Sequence, residues 1–80
     1  MAVRGIRGAI TVETDDPAEI HAATRELLQE IISKNEITAD DIISIIFTVT
    51  ADIRSAFPAT AARAMGLNLV PLICTQEIPV

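Results

Sequence analysis

Eighty residues with a net charge of −5, half of them hydrophobic and only two aromatic, Phe47 and Phe57, describe one small domain with an aliphatic core. That charge excludes nucleic acid and anionic membrane surfaces as main partners, since no basic stripe is present to meet phosphates. A single cysteine, Cys74, excludes an internal disulfide and fits a reducing compartment.

No apolar core of signal-peptide length follows Arg4 and Arg7. The longest apolar run, IISIIFTV, is far too short to span a bilayer, so a cytoplasmic protein is expected. The aliphatic content exceeds what so short a chain can bury, which points to a partner subunit. Ten of the eleven acids lie between Glu13 and Asp52, leaving both ends neutral or positive and suited to an anionic small molecule.

Residues 2–12, AVRGIRGAITV, alternate in a way that predicts a strand with Ile6, Ile10 and Val12 in the core. Arg7 then lies on the other face between Gly5 and Ala9, with room above it for a ligand. The DDPAE stretch predicts a helix start, with Asp16 as N-cap, Pro17 in the first helical position and Glu19 closing a capping box. Ile20, Ala23, Leu27 and Ile31, with Leu28 and Ile32 beside them, make its apolar face, and Asn35 is the expected stop. The segment Thr38-Ala39-Asp40-Asp41 repeats the capping signature and predicts a short second helical turn.

Residues 42–50, IISIIFTVT, are apolar on both parities and predict a central strand covered on both faces. An Ala-rich helix is expected over 57–66, with Pro58 near its start and Gly66 as its C-cap, followed by a last strand over 69–75 with Pro71 at a strand start or edge. The order β-α-β-α-β implies an α/β mixed sheet with helices on one face. No linker, repeat or low-complexity segment divides the chain.

Conventional catalytic sets are absent from this pattern. His21 and Cys74 are the only thiol–imidazole candidates, and His21 reads as a solvent-facing helical residue. One His and one Cys without clustered carboxylates do not make a metal shell. The RGIRG segment lacks the lysine and hydroxyl of a phosphate loop. Arg7 reads either as a pairing or snorkelling residue or as a ligand-binding one. Glu77, the only acid in the last 28 residues, reads as a solvated strand end or a site residue, and Cys74 as a small buried hydrophobe or a site residue.

Three segments in order, VRGIRGAITVE, FTVTADIRSAFPATAAR and VPLICTQEIPV, resemble the monofunctional AroH-class chorismate mutases. The resemblance runs from residue 2 to residue 80 and implies a single chorismate mutase-like domain, a trimeric pseudo-α/β barrel and active sites between subunits. It implies conversion of chorismate to prephenate in phenylalanine and tyrosine biosynthesis. No cofactor or metal is expected, because a pericyclic rearrangement needs neither. By the same resemblance Arg7 binds a substrate carboxylate. Glu77 and Cys74 stand by the ring and its hydroxyl, with Ile73, Thr75 and Gln76 as the wall between them. Phe57, Ala59 and Arg63 come from the neighbouring subunit. Residues three apart on a regular strand face opposite ways, so a bend or bulge is expected near Thr75–Gln76. In the family the chain runs on into a glycine turn, another strand and a C-terminal segment, a portion that carries a second arginine and a tyrosine. The expectation is therefore a domain cut short at its C-terminus, with little catalysis from residues 1–80 alone. The alternative is a trimeric domain that binds an anionic metabolite and is weakly active or inactive.

Overall fold

The structure, a computed structural model, describes residues 3–79. Helix α1 spans Pro17–Lys34 and begins as its sequence requires, with the Asp16 carboxylate accepting from the Glu19 amide at 3.0 Å. Glu19 does not close a capping box. It turns outward to accept from the Glu13 amide at 2.7 Å and from the Thr14 hydroxyl, tying down the approach to the helix. At the far end Glu36 takes a positive φ of 52° while the Ile37 amide donates to Ile32 O at 3.2 Å. This is a left-handed helix terminus made without glycine, at some steric cost. The second capping signature produces a single 3₁₀ turn over Ala39–Asp41, where the Thr38 amide donates to Asp41 Oδ2 at 2.8 Å.

Strands β1, Ile45–Val49, and β2, Leu72–Gln76, pair in parallel with a one-to-one register from Ile45↔Leu72 to Val49↔Gln76. Helix α2, Pro58–Ala64, makes the crossover that a parallel pair needs. It ends on Gly66, whose φ of 93° allows the Gly66 amide to reach Arg63 O at 3.0 Å and the Leu67 amide to reach Ala62 O at 3.2 Å. Pro71 stands at the start of β2, where its carbonyl accepts from the Ile45 amide. The core is the seam between helices and sheet. Leu28 of α1, Ala62 of α2, Leu67 and Val70 are buried there, and Ile42, Ile45, Phe47, Met65 and Leu72 pack against them.

Three expectations are corrected by this arrangement. Residues 3–12 form no strand, and Ile6 and Ile10 are 40% and 42% exposed rather than core. A strand exists only through its ladder, and among the described residues none pairs with this segment. It lies against α1 instead, so closely that a Cβ on Gly8 would stand 2.9 Å from Leu27 Cδ1 and 3.0 Å from Ile31 Cδ1. The described element order is therefore α, 3₁₀, β, α, β, with a purely parallel pair in place of a mixed sheet. Strand β1 is also covered on one face only. Both helices lie on the side of Ile45, Phe47 and Val49, while Ile46 on the other side is 64% exposed.

Candidate functional site

A cleft of about 430 Å³ opens at the C-terminal ends of both strands. Val49 of β1 and Cys74, Thr75 and Gln76 of β2 form one wall. The other is the connection from β1 to α2, from Ile53 through Arg54, Ser55 and Ala56 to Phe57 and Pro58. Ligands of parallel α/β sheets bind at this end because the connections there diverge and leave a crevice. Arg54 is the only charged residue among those lining the cleft, so a strongly acidic chain presents a cation here.

The connecting segment has no regular structure, and its internal bonds are short-range. The Ile53 amide donates to Thr50 O at 3.1 Å, Arg54 Nε donates to Ala51 O at 3.2 Å, and the Thr50 hydroxyl donates to Asp52. One distant group holds it. Asp15 Oδ1, just ahead of α1, accepts from the Arg54 amide at 3.0 Å, the Ser55 amide at 3.0 Å and the Ser55 hydroxyl at 2.8 Å. The Arg54 amide, then the Ser55 hydroxyl and amide, hold the Asp15 carboxyl below its ordinary value. The Thr14 hydroxyl, followed by the Glu13 amide, does the same for Glu19.

The expected site residues fall into three places. Phe57, Cys74, Thr75 and Gln76 share the cleft within one chain, with Phe57 71% exposed as N-cap of α2 and Ala59 half-buried in the turn that follows. Ile73 and Glu77 lie on the open face of the sheet, where the Thr48 hydroxyl donates to Glu77 Oε1 at 3.1 Å. Arg7 lines a second, shallower cleft of about 230 Å³ against α1, with Leu27, Glu30, Ile31 and Lys34. Arg63 is engaged in the fold itself. Its Nη1 donates to the carbonyls of Leu67 and Asn68, both at 2.8 Å, and of Val70 at 3.1 Å, which clamps the turn between α2 and β2.

No bulge brings Cys74 and Glu77 to one side. Register is one-to-one through Gln76, and the Glu77 amide continues the ladder by donating to Val49 O at 2.8 Å. A strand held by an unbroken ladder keeps its alternation, so Cys74 faces the helices and Glu77 faces away. His21 is not solvent-facing either. It is half-buried beside the Ile20–Thr24–Leu28 stripe, and its Nε2 is buried with no partner among the described residues. Sequence reasoning missed Arg54 and Asp15. The signal for Asp15 was the doubled acid before Pro17, since only one of the two can cap the helix.

The family described as chorismate mutase type I matches residues 3–80. Chorismate mutase AroH of Thermus thermophilus is 56% identical over 79 residues, covering 98% of this chain and 65% of that protein. Chorismate mutase AroH of Bacillus subtilis (strain 168) is 42% identical over 81 residues, covering 100% of this chain and 64% of that protein. A solved chorismate mutase from Clostridium thermocellum superposes with a TM-score of 0.86 at 53% identity, over 88% of this chain and 62% of that one. The chain thus spans a little under two thirds of the length of the curated relatives it matches. It belongs to the chorismate mutase type I family.

Proposed function

We propose that the protein is a chorismate mutase, rearranging chorismate to prephenate for phenylalanine and tyrosine synthesis. The observation that carries this reading is the family match, which runs unbroken over residues 3–80. In the rearrangement the ether C–O bond breaks as a C–C bond forms within one molecule. No proton is transferred and no covalent intermediate arises, so the protein's work is to hold a compact conformer and meet the charge that separates in the transition state. A small cleft whose one charge is a guanidinium suits a dianion of this size.

In this proposal Arg7 binds a substrate carboxylate through its planar fork, and Cys74, Thr75 and Gln76 form the wall beside the ring. Glu77 accepts a hydrogen bond from the ring hydroxyl, and Ile73 lies next to it. Arg7, the cleft and Glu77 occupy separate surfaces of one chain, so the complete site is proposed to form in a homotrimer of pseudo-barrel form. There Phe57, Ala59 and Arg63 of one copy complete the site of the next. The exposed Ile43, Ile46, Ile73 and Ile78 support that assembly, as an apolar surface of this kind is stabilised by burial against another copy. Among the described residues no helix is long and apolar enough to cross a membrane, and a cytoplasmic location is part of the same proposal.

The test is conversion of chorismate by the purified full-length protein, followed by loss of its absorbance with prephenate identified as product. A rate no higher than in buffer alone would overturn the reading. Sedimentation equilibrium is expected to give three times the chain mass, and a monodisperse monomer at micromolar concentration would remove the shared site.

A further inference from the structure

The wall of the cleft that carries Arg54 and Phe57 is a connection without regular structure, and its one long-range polar tie among the described residues is Asp15. Phe57, largely exposed, is not held by packing, so its place depends on the backbone before it. That backbone is gripped at two consecutive amides, Arg54 and Ser55, by one carboxylate oxygen that also takes the Ser55 hydroxyl. Charged acceptors make stronger hydrogen bonds than neutral ones, and two adjacent amides converging on one oxygen fix both the position and the tilt of the peptide between them. The tie spans 39 and 40 residues of sequence and joins the segment that follows Arg7 to the segment that carries Phe57.

We propose that Asp15 is a positioning residue for the cleft, latching the Arg54–Ser55 backbone so that Arg54 and Phe57 stand at a fixed distance from Cys74, Thr75 and Gln76. The ligand assignment rests on the chorismate mutase reading, whereas the latch stands on the geometry alone. Asp15 touches no substrate in this proposal and acts through the wall. Removing it frees the Arg54–Phe57 wall, which enlarges the cleft within one chain and, through Phe57, loosens the grip on the anion in the site of the next copy.

The test compares Asp15→Ala, Asp15→Asn and Ser55→Ala in the full-length protein. Asp15→Ala is expected to raise KM for chorismate by about tenfold with kcat changed by less than about threefold, the pattern of lost binding in which ground and transition states share. Asp15→Asn keeps a carbonyl oxygen as acceptor and is expected to recover most of that loss, while Ser55→Ala, which deletes one donor of three, falls between. A second readout needs no activity. Cys74 is the only thiol and lines the same cleft, so its alkylation by iodoacetamide is expected to quicken several-fold in Asp15→Ala and to return toward wild type in Asp15→Asn. Unchanged KM and unchanged alkylation in Asp15→Ala would overturn the latch, as would an Asp15→Asn variant no better than alanine in both. If Asp15→Ala does not fold, Ser55→Ala decides by the same two measurements. A wild type that leaves chorismate untouched, with alkylation responding as described, would overturn the functional reading and leave the latch standing.

Discussion

Ile45 and Ile46 are neighbours on one strand with the same side chain and opposite fates. Ile45 packs against the seam of Leu28, Ala62, Leu67 and Val70, while Ile46, opposite Ile73, is 64% exposed. The same alternation runs down both strands. The helix-facing side carries the apolar contacts that hold the chain together, and the open side carries Thr48, Thr75, Glu77 and unburied isoleucines. Stability is thus concentrated on one face, whereas Glu77 and the exposed isoleucines, proposed to meet ligand and neighbouring copies, lie outside that seam.

The buried seam depends most directly on Leu28, which is 5% exposed. Leu28→Ala should cost about 2–5 kcal/mol, by loss of burial and the cavity left behind, read as a lowered denaturation midpoint. A loss near zero would mean that the seam is not the core. Arg7→Ala tests a proposed ligand group outside the seam, in the shallow cleft against α1. It should leave folding intact and lower turnover by roughly two orders of magnitude, the value of a charge-assisted carboxylate contact in a dry site. Lysine should rescue poorly for want of the planar fork, and near-normal turnover in the alanine variant would make Arg7 a surface residue.

Acid should separate the regions next. Asp15 and Glu19 are held below their ordinary values by hydrogen bonds present only in the folded state. The unfolded chain therefore binds protons first, and their stabilisation is complete above the ordinary carboxylate range, about pH 4, and lost as pH falls through the lower folded values. Urea midpoints of the wild type should fall more steeply below that pH than those of Asp15→Asn; parallel slopes would count against the latch as a charged one. A smaller effect is expected at Cys74, where alanine should retain activity within about tenfold, because a wall residue supplies shape and a nucleophile would not tolerate the change. A trapped covalent adduct with complete inactivation would contradict a pericyclic mechanism. The smallest effect on the isolated chain belongs to Ile46→Thr, about 0.5 kcal/mol or less as for other exposed positions, with assembly shifted to higher protein concentration. A cost equal to that of Leu28→Ala in the dissociated chain would mean that both faces are core.

Local chemistry was legible. The Asp16–Pro17 start of α1, the glycine after α2 and the proline opening β2 each follow from backbone rules that act within a few residues. Phe57, Cys74, Thr75 and Gln76 line one cleft within the chain, whereas the resemblance implied that Phe57 would come from a neighbouring subunit. The N-terminal segment shows where such reading fails. Its alternation of Ile6, Ile10 and Val12 is real, but alternation states only that a strand would have two unlike faces, and it does not supply a partner for the ladder. The apolar run of β1 failed in a similar way, as a surface left open and a surface buried by a sheet look alike in composition.

What the sequence determined by itself was therefore whatever depends on neighbours in the chain: where helices begin and end, the aliphatic make-up of the core, and the family, which a collinear pattern of residues specifies without reference to shape. Tertiary structure alone decided that Asp15 would reach Arg54 and Ser55, that Arg63 would spend one nitrogen on three backbone carbonyls, and that Cys74 and Glu77 would part to opposite faces. The reason is physical. Hydrogen bonds between distant groups form only after packing has closed the chain between them, and a strand's facing is set by the register of its partner, which no local preference encodes.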